Sequence, residues 1–280
     1  GHEDPRWSAI DAVCFLSKNL YNAANYILRQ EYIFKHHYIP YPELAKMMQQ
    51  QPDFCALPRK VSQQVLMQLD RDWRSFFAAR MEWEEHPEKF LSRPKLPRYK
   101  HKTEGRNLLI YTQQAVSKRL FKKKGVIQPS QLDIIVETRQ KSYDQVRLVP
   151  RKTHYVIEVV YTVQAQPASG DPNRIAGIDI GLDNVAAVTF NQPGLRPLLV
   201  NGRPLKAINQ LYNKQRAQLQ SQLRGDQKTS RRLDTLTDKR NRRVNAYLHR
   251  TSRRIVDRLI EERIGTLVIG KNDGWKQDIN

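Results

Sequence analysis

The chain is short of cysteine, of acid and of long apolar runs. Its 280 residues hold only two cysteines, Cys14 and Cys55. Two thiols make neither a disulfide framework nor a metal cluster, and in their apolar helical surroundings both read as small buried hydrophobes of a reducing compartment. No apolar stretch approaches the roughly 18 residues that a membrane helix needs. The N-terminus has no basic segment followed by an apolar one, so it does not read as a secretory signal, and the opening Gly1-His2 reads as a trimmed end. Fifteen prolines and 12 glycines are scattered without period, which excludes collagen and low complexity, and 9% aromatic residues argue against wholesale disorder.

The shortage of acid matters most. Twenty-eight Asp+Glu face 48 Lys+Arg, a formal charge of +20. A charge of that size speaks of partners rather than of fold, and with no membrane segment the natural partner is a nucleic acid.

Patterning gives an α+β chain in three regions. Residues 7–90 are helical: Ile10, Val13, Cys14, Leu20, Tyr21, Ala24, Ile27 and Leu28 recur at helical spacing. Prolines 40, 42, 52 and 58 then leave room only for a short helix. A second long helix carries Val61, Val65, Leu66, Leu69, Trp73, Phe76 and Phe77. That aromatic stripe suits a buried face better than a base-stacking platform. Residues 91–166 are basic and Pro-punctuated, with short β-type runs at 133–136, 146–149 and 154–163, the pattern of a small barrel or sandwich. Pro167 to Pro172 reads as a linker. Residues 173–280 give three strands, two long helices broken at Gly225-Asp226, and an apolar fourth strand, Thr266–Ile269, expected to be buried. This order opens an RNase H-like sheet whose fourth strand lies beside the first. Its remaining elements would follow Asn280, so the chain reads as the front part of something longer.

Two basic clusters carry the charge. Arg93, Lys95, Arg98, Lys100, Lys102, Arg106, Lys118, Arg119, Lys122, Lys123 and Lys124 meet a single acid, Glu104. Between residues 214 and 254, thirteen Lys+Arg meet three acids. Lys214, Arg231, Arg232, Arg240, Arg242, Arg243, Arg250, Arg253 and Arg254 are the candidate ligands there. Each cluster nets +10, so together they equal the charge of the whole chain. Tyr99, His101 and Tyr111 lie among the first set and supply stacking groups, which suits RNA with unpaired bases. The second set has many arginines and few aromatics, which suits a duplex backbone.

One acid stands out. In Ile178-Asp179-Ile180 the alternation of a strand sends the carboxylate to the face opposite its neighbours. A hard divalent cation such as Mg2+ fits such an acid, and two ions are the recurrent device for phosphodiester hydrolysis. A strand cap or an arginine pair is the plainer alternative.

Gly177-Ile178-Asp179-Ile180-Gly181-Leu182 resembles the first RuvC motif of the TnpB proteins of bacterial transposons. The basic helix pair with Asn241-Arg242-Arg243 and Leu248-His249-Arg250-Thr251-Ser252-Arg253, and then Leu267-Val268-Ile269, follow in the family's order. Upstream, Gln64–Trp73 with Phe76-Phe77, and Leu96-Pro97-Arg98-Tyr99-Lys100, also resemble it. The resemblance implies an RNA-guided DNA endonuclease related to type V CRISPR effectors, with a helical recognition region, a wedge-like β-barrel and a RuvC domain. Its implied partners are a guide RNA from the transposon end and target DNA, in the bacterial cytoplasm at the nucleoid. Its implied catalytic residue is Asp179, with Mg2+ as cofactor.

The sequence also departs from the family. Where the family carries a second acid after the fourth strand, this chain has Gly270-Lys271-Asn272-Asp273. Asp273 is the weak second metal candidate, in what reads as a turn. A third acid and a Zn2+-binding ribbon would fall beyond residue 280. Two rival readings therefore accompany the nuclease: a cleavage-inactive RNA-guided DNA binder acting as a regulator, and a non-catalytic RNA-binding protein.

Overall fold

A computed structural model describes residues 3–165 and 169–270. The chain divides into two compact units, residues 1–163 and 164–280.

The first unit opens with α1 (Trp7–Lys35), in which Ile10, Cys14, Ser17, Tyr21, Ala24 and Leu28 recur at alternating steps of four and three and are all buried. The helix stops where His36 takes a left-handed conformation (φ 53°), its N–H donating to the Tyr32 carbonyl and that of His37 to the Glu31 carbonyl. Short α2 (Tyr41–Met48) and α3 (Pro52–Cys55) each begin at a proline-marked turn. Long α4 (Arg59–Glu85) buries Val61, Val65, Leu66, Leu69 and Trp73. Trp73 is fully buried, with Tyr32, Tyr38, Phe76 and Phe77 around it at ring separations of 5.4 to 6.1 Å. The aromatic stripe is core, as its spacing indicated. Truncating such a side chain to Ala costs about 3–5 kcal/mol.

Three strands lean on these helices. The strand β1 (Leu109–Thr112) precedes the short helix α5 (Lys118–Lys124) and the two-residue strands β2 (Val126–Ile127) and β3 (Val136–Glu137). Then come β4 (Gln145–Pro150) and β5 (Tyr155–Val160). The sheet order is β1-β4-β5, all antiparallel, while β2 pairs with β3. The expected barrel is therefore not closed among the described residues. The inner side chains Leu109, Tyr111, Val146 and Leu148 join one apolar cluster with α1 and α4, so the sheet buries its face on helices instead of on itself.

The second unit is a four-stranded sheet carrying helices. Its elements are β6 (Asp171–Asp179), β7 (Asn184–Phe190), β8 (Leu198–Asn201), α6 (Arg203–Ser221), α7 (Arg231–Glu261) and β9 (Ile264–Ile269). The order is β8-β7-β6-β9, antiparallel except that β9 runs parallel to β6. The last strand thus lies beside the first, as the sequence order implied. Ala176, Ala186, Val188 and Val200 on one face of the sheet pack against Ile255 of α7, with Ile178, Tyr247 and Leu259 around them.

Three expectations change here. Asp171 and Pro172, read as linker, already belong to β6, where Asp171 pairs with Ile264. The backbones approach so closely that a Cβ on Gly170 would lie 2.6 Å from the Ile264 carbonyl oxygen. The fourth strand is not buried: Val268 and Ile269 are each 56% exposed. Among the described residues it is an edge strand paired with β6, and of its side chains Ile264 joins the apolar cluster around Ile255. Cys55 is exposed, unlike fully buried Cys14.

Candidate nucleic-acid interface

Residues 95–102 of the first basic cluster form an extended ribbon bound lengthwise to α1. Asn22 holds Lys100 twice, its Nδ2 donating to the carbonyl at 2.9 Å and its Oδ1 accepting from the N–H at 2.8 Å. One turn on, Asn25 Nδ2 and Arg29 Nη1 both donate to the Pro97 carbonyl at 3.0 Å. Buried Asn25 also accepts from Trp73 Nε1 at 3.0 Å. It thereby joins the two upstream motifs, Trp73 on α4 and Pro97 on the ribbon. At the far end Lys18, buried and with its pKa lowered by that burial, donates to the Lys102 carbonyl at 2.6 Å. A basic segment without secondary structure is thus held in one conformation by its backbone, leaving its side chains available.

Arg93, Lys95, Arg98 and Lys102 are exposed. Tyr99 is 45% exposed, with the Arg29 guanidinium 5.2 Å from its ring centre, whereas Tyr111, expected to stack on bases, is fully buried in β1. Lys100 lies half-buried over the Tyr21 ring. Arg106 differs from the rest. Its guanidinium closes on both oxygens of Asp11 at 2.8 and 2.7 Å, and Asp11 also accepts from the Tyr155 hydroxyl at 2.5 Å. Asp11 holds the Arg106 pKa above its ordinary value. The geometry makes Arg106 a strut of the first unit.

Lys118, Arg119, Lys122, Lys123 and Lys124 are all exposed on α5. Ser117 caps its start and left-handed Gly125 (φ 65°) ends it, so three lysines sit where the helix dipole favours cations.

In the second unit Lys214, Arg231, Arg232, Arg242, Arg243, Arg250, Arg253 and Arg254 are exposed along α6 and α7. Arg240 is half-buried instead. It bonds Asn209 of α6 at 2.8 Å and lies 5.6 Å from the Tyr212 ring centre, tying the two helices together.

Asp179 ends β6 opposite Ala187, on the face away from Ala176 and Ile178, and is exposed. The alternation read from the sequence is correct, but the carboxylate is solvated rather than desolvated. The nearest acid in sequence, Asp183, is held by Lys206, whose hydrogen bond lowers its pKa. Among the described residues no group of three or more His, Cys, Asp or Glu is placed to hold a metal. Asp179 alone supplies only part of the Mg2+ site that the RuvC resemblance implies, because such a site needs further anionic oxygens around the ion. Lys271 and Asp273 lie outside the described residues.

Sequence reading missed the clamps Lys18, Asn22, Asn25 and Arg29. Their one signal is polar side chains recurring at steps of three and four beside the apolar stripe of α1. No helix among the described residues is long and apolar enough to cross a membrane.

Comparison with known proteins adds to this geometry. Residues 158–276 match the OrfB_IS605 family, described as "Probable transposase". A curated relative, the CRISPR-associated endodeoxyribonuclease Cas12f1 of Syntrophomonas palmitatica, is 25% identical over 147 residues, covering 48% of this chain and 29% of the relative. The match therefore spans less than a third of that relative's length. Among solved structures, the Cas12f1-sgRNA-target DNA complex holds a chain that matches with a TM-score of 0.56 at 12% identity, over 99% of this chain and 68% of the other. That likeness is one of fold. By these matches the chain resembles a transposase family over residues 158–276 and a CRISPR-associated endodeoxyribonuclease over about half of its length.

Proposed function

We propose that this chain binds a structured RNA and the DNA matched by it, as the nucleic-acid-gripping portion of an RNA-guided DNA nuclease of transposon origin. The observation that carries the reading is the ribbon of residues 95–102. Its backbone is fixed by Asn22, Asn25 and Lys18 while Lys95, Arg98, Tyr99 and Lys102 stay exposed. A preorganised row of cations with a stacking ring suits a backbone whose bases are unpaired. The arginines of α7 suit a duplex tracked through its phosphates. The second unit, with its fourth strand parallel to the first, is read as the opening of an RNase H-like domain. The name of the curated relative, an endodeoxyribonuclease, and the RNA and DNA in the solved Cas12f1 complex support the same reading.

Within it, Asp179 is the carboxylate assigned to strand cleavage, and Mg2+ the ion assigned to it, with the other ligands still to be supplied. Lys271, standing in the sequence where the family carries an acid, favours a second reading, a cleavage-inactive RNA-guided DNA binder acting as a regulator. One experiment separates the two. With a transcript of the transposon end as guide and a matching duplex as target, the nuclease reading expects Asp179→Ala to keep binding and abolish cutting. Binding without cutting by the unaltered protein supports the second reading. Failure of the unaltered protein to bind the transcript refutes both.

A further inference from the structure

An open cleft of about 640 Å³ lies in the second unit between the start of β8 and the C-terminal half of α7. Its floor is Pro197 and Leu198, and five arginines face it against two acids. Both acids are engaged: Asp257 takes Arg253 at 2.8 Å, and Glu261 lies 3.9 Å from Arg258. Arg258 also meets Glu262 at 2.9 Å and sits over the Phe190 ring. Arg196, Arg250 and Arg254 have no carboxylate partner among the described residues, and all three are exposed. Arg250 and Arg254 stand one helical turn apart, about 6 Å along the axis. Arg196 reaches the same cleft from the connection between β7 and β8, a different element altogether.

We propose that this cleft seats the sugar-phosphate backbone of a nucleic-acid duplex, with Arg196 as a phosphate ligand opposite Arg250 and Arg254. The inference rests on the nucleic-acid reading above and adds to it a site and a ligand from a second element, Arg196. Three guanidiniums without a carboxylate, approaching from two sides, match phosphate oxygens, which accept forked donors. None of the lining side chains is aromatic, so unpaired bases find nothing to stack on. The lining offers no buried polar group to fix a nucleotide's base or sugar, and an open trough suits a continuous backbone better than a small anion.

The test uses the full chain and fluorescence anisotropy with a short mixed-sequence DNA duplex, the same sequence as a single strand, and a structured RNA. Arg196→Gln and Arg254→Gln should each weaken duplex binding about fivefold and reduce the salt slope by about one. Arg196→Lys, which keeps the charge but not the fork, should fall between the parent and Arg196→Gln in affinity while keeping the parent's salt slope, and single-strand binding should change little. Arg196 lies in an exposed connection, so its variants should melt with the parent. Unchanged duplex binding in both Gln variants overturns the proposal. So does equal weakening for duplex and single strand, or displacement of the duplex by millimolar inorganic phosphate. A parent protein that binds the RNA but not the duplex overturns the cleft alone, and one that binds neither overturns the wider reading too.

Discussion

Asn22 and Lys100, 78 positions apart, are joined by a reciprocal pair of hydrogen bonds in which one side-chain amide satisfies both the N–H and the C=O of a single backbone residue. A segment as charged as residues 93–106 would otherwise sample many conformations and lose entropy on binding. The asparagine places that loss in folding, so the ribbon meets its ligand already ordered.

Asn22→Ala should therefore weaken RNA binding without removing a charge. It deletes two partly buried hydrogen bonds, a loss of about 1–3 kcal/mol in stability. Affinity should fall while the salt slope stays that of the parent protein. Titration of a structured RNA at several salt concentrations checks this, and a slope that falls with the affinity would place Asn22 among the phosphate ligands instead.

Arg106 should behave in the opposite way to its neighbours in sequence. Arg106→Met leaves the Asp11 carboxylate half-buried without its cation, at a cost of about 2–3 kcal/mol, measurable by urea unfolding. Removing the charge from both partners in Arg106→Met/Asp11→Asn should recover part of that loss. RNA affinity per folded molecule and its salt slope should not change in either variant. A shallower slope would return Arg106 to the interface.

The first unit should lose stability in alkali. Burial pushes the Cys14 thiol from its ordinary 9.0 up to about 12, and burial raises Tyr21, Tyr111 and Tyr155 as well. A folded pKa above the unfolded one means that the unfolded chain releases its proton first. The contribution is thus complete below pH 9 and is lost as pH climbs towards 12. Unfolding free energy should fall by about 2 kcal/mol between pH 8.5 and 10.5 from Cys14 alone. Cys14→Ala should flatten part of the profile. In the native protein a thiol reagent at pH 8 should find Cys55 and leave Cys14 untouched until unfolding.

Local features were legible in the sequence, and so was the pairing of β9 with β6 through the order of the strands, but other long-range contacts were not. The stripe of Trp73, Phe76 and Phe77 reads as core because helical spacing and apolar character already decide it, and the structure agrees. The alternation around Asp179 likewise gives the correct face. The short strands of the first unit suggested a barrel because patterning shows which face is apolar and not what covers it. Helices α1 and α4 do. The apolar run at 266–269 looked buried for the same reason, yet among the described residues β9 lies at the sheet's edge. Arg106 looked like a phosphate ligand because its partner, Asp11, lies 95 residues away. Asp179 was legible as a candidate, but no described residue completes a metal site around it.

The most direct measurement is the equilibrium binding of the structured RNA across a range of salt concentrations, by the parent protein and by the Lys122→Glu/Lys123→Glu/Lys124→Glu variant. The account predicts tight binding by the parent near physiological ionic strength and a steep fall with salt. The variant should bind more weakly, with a slope shallower by about 2, because each of the three lysines neutralises one phosphate and adds roughly 0.7 to the slope. Identical affinities and slopes for the two proteins, or binding by the parent that does not respond to salt, would contradict it.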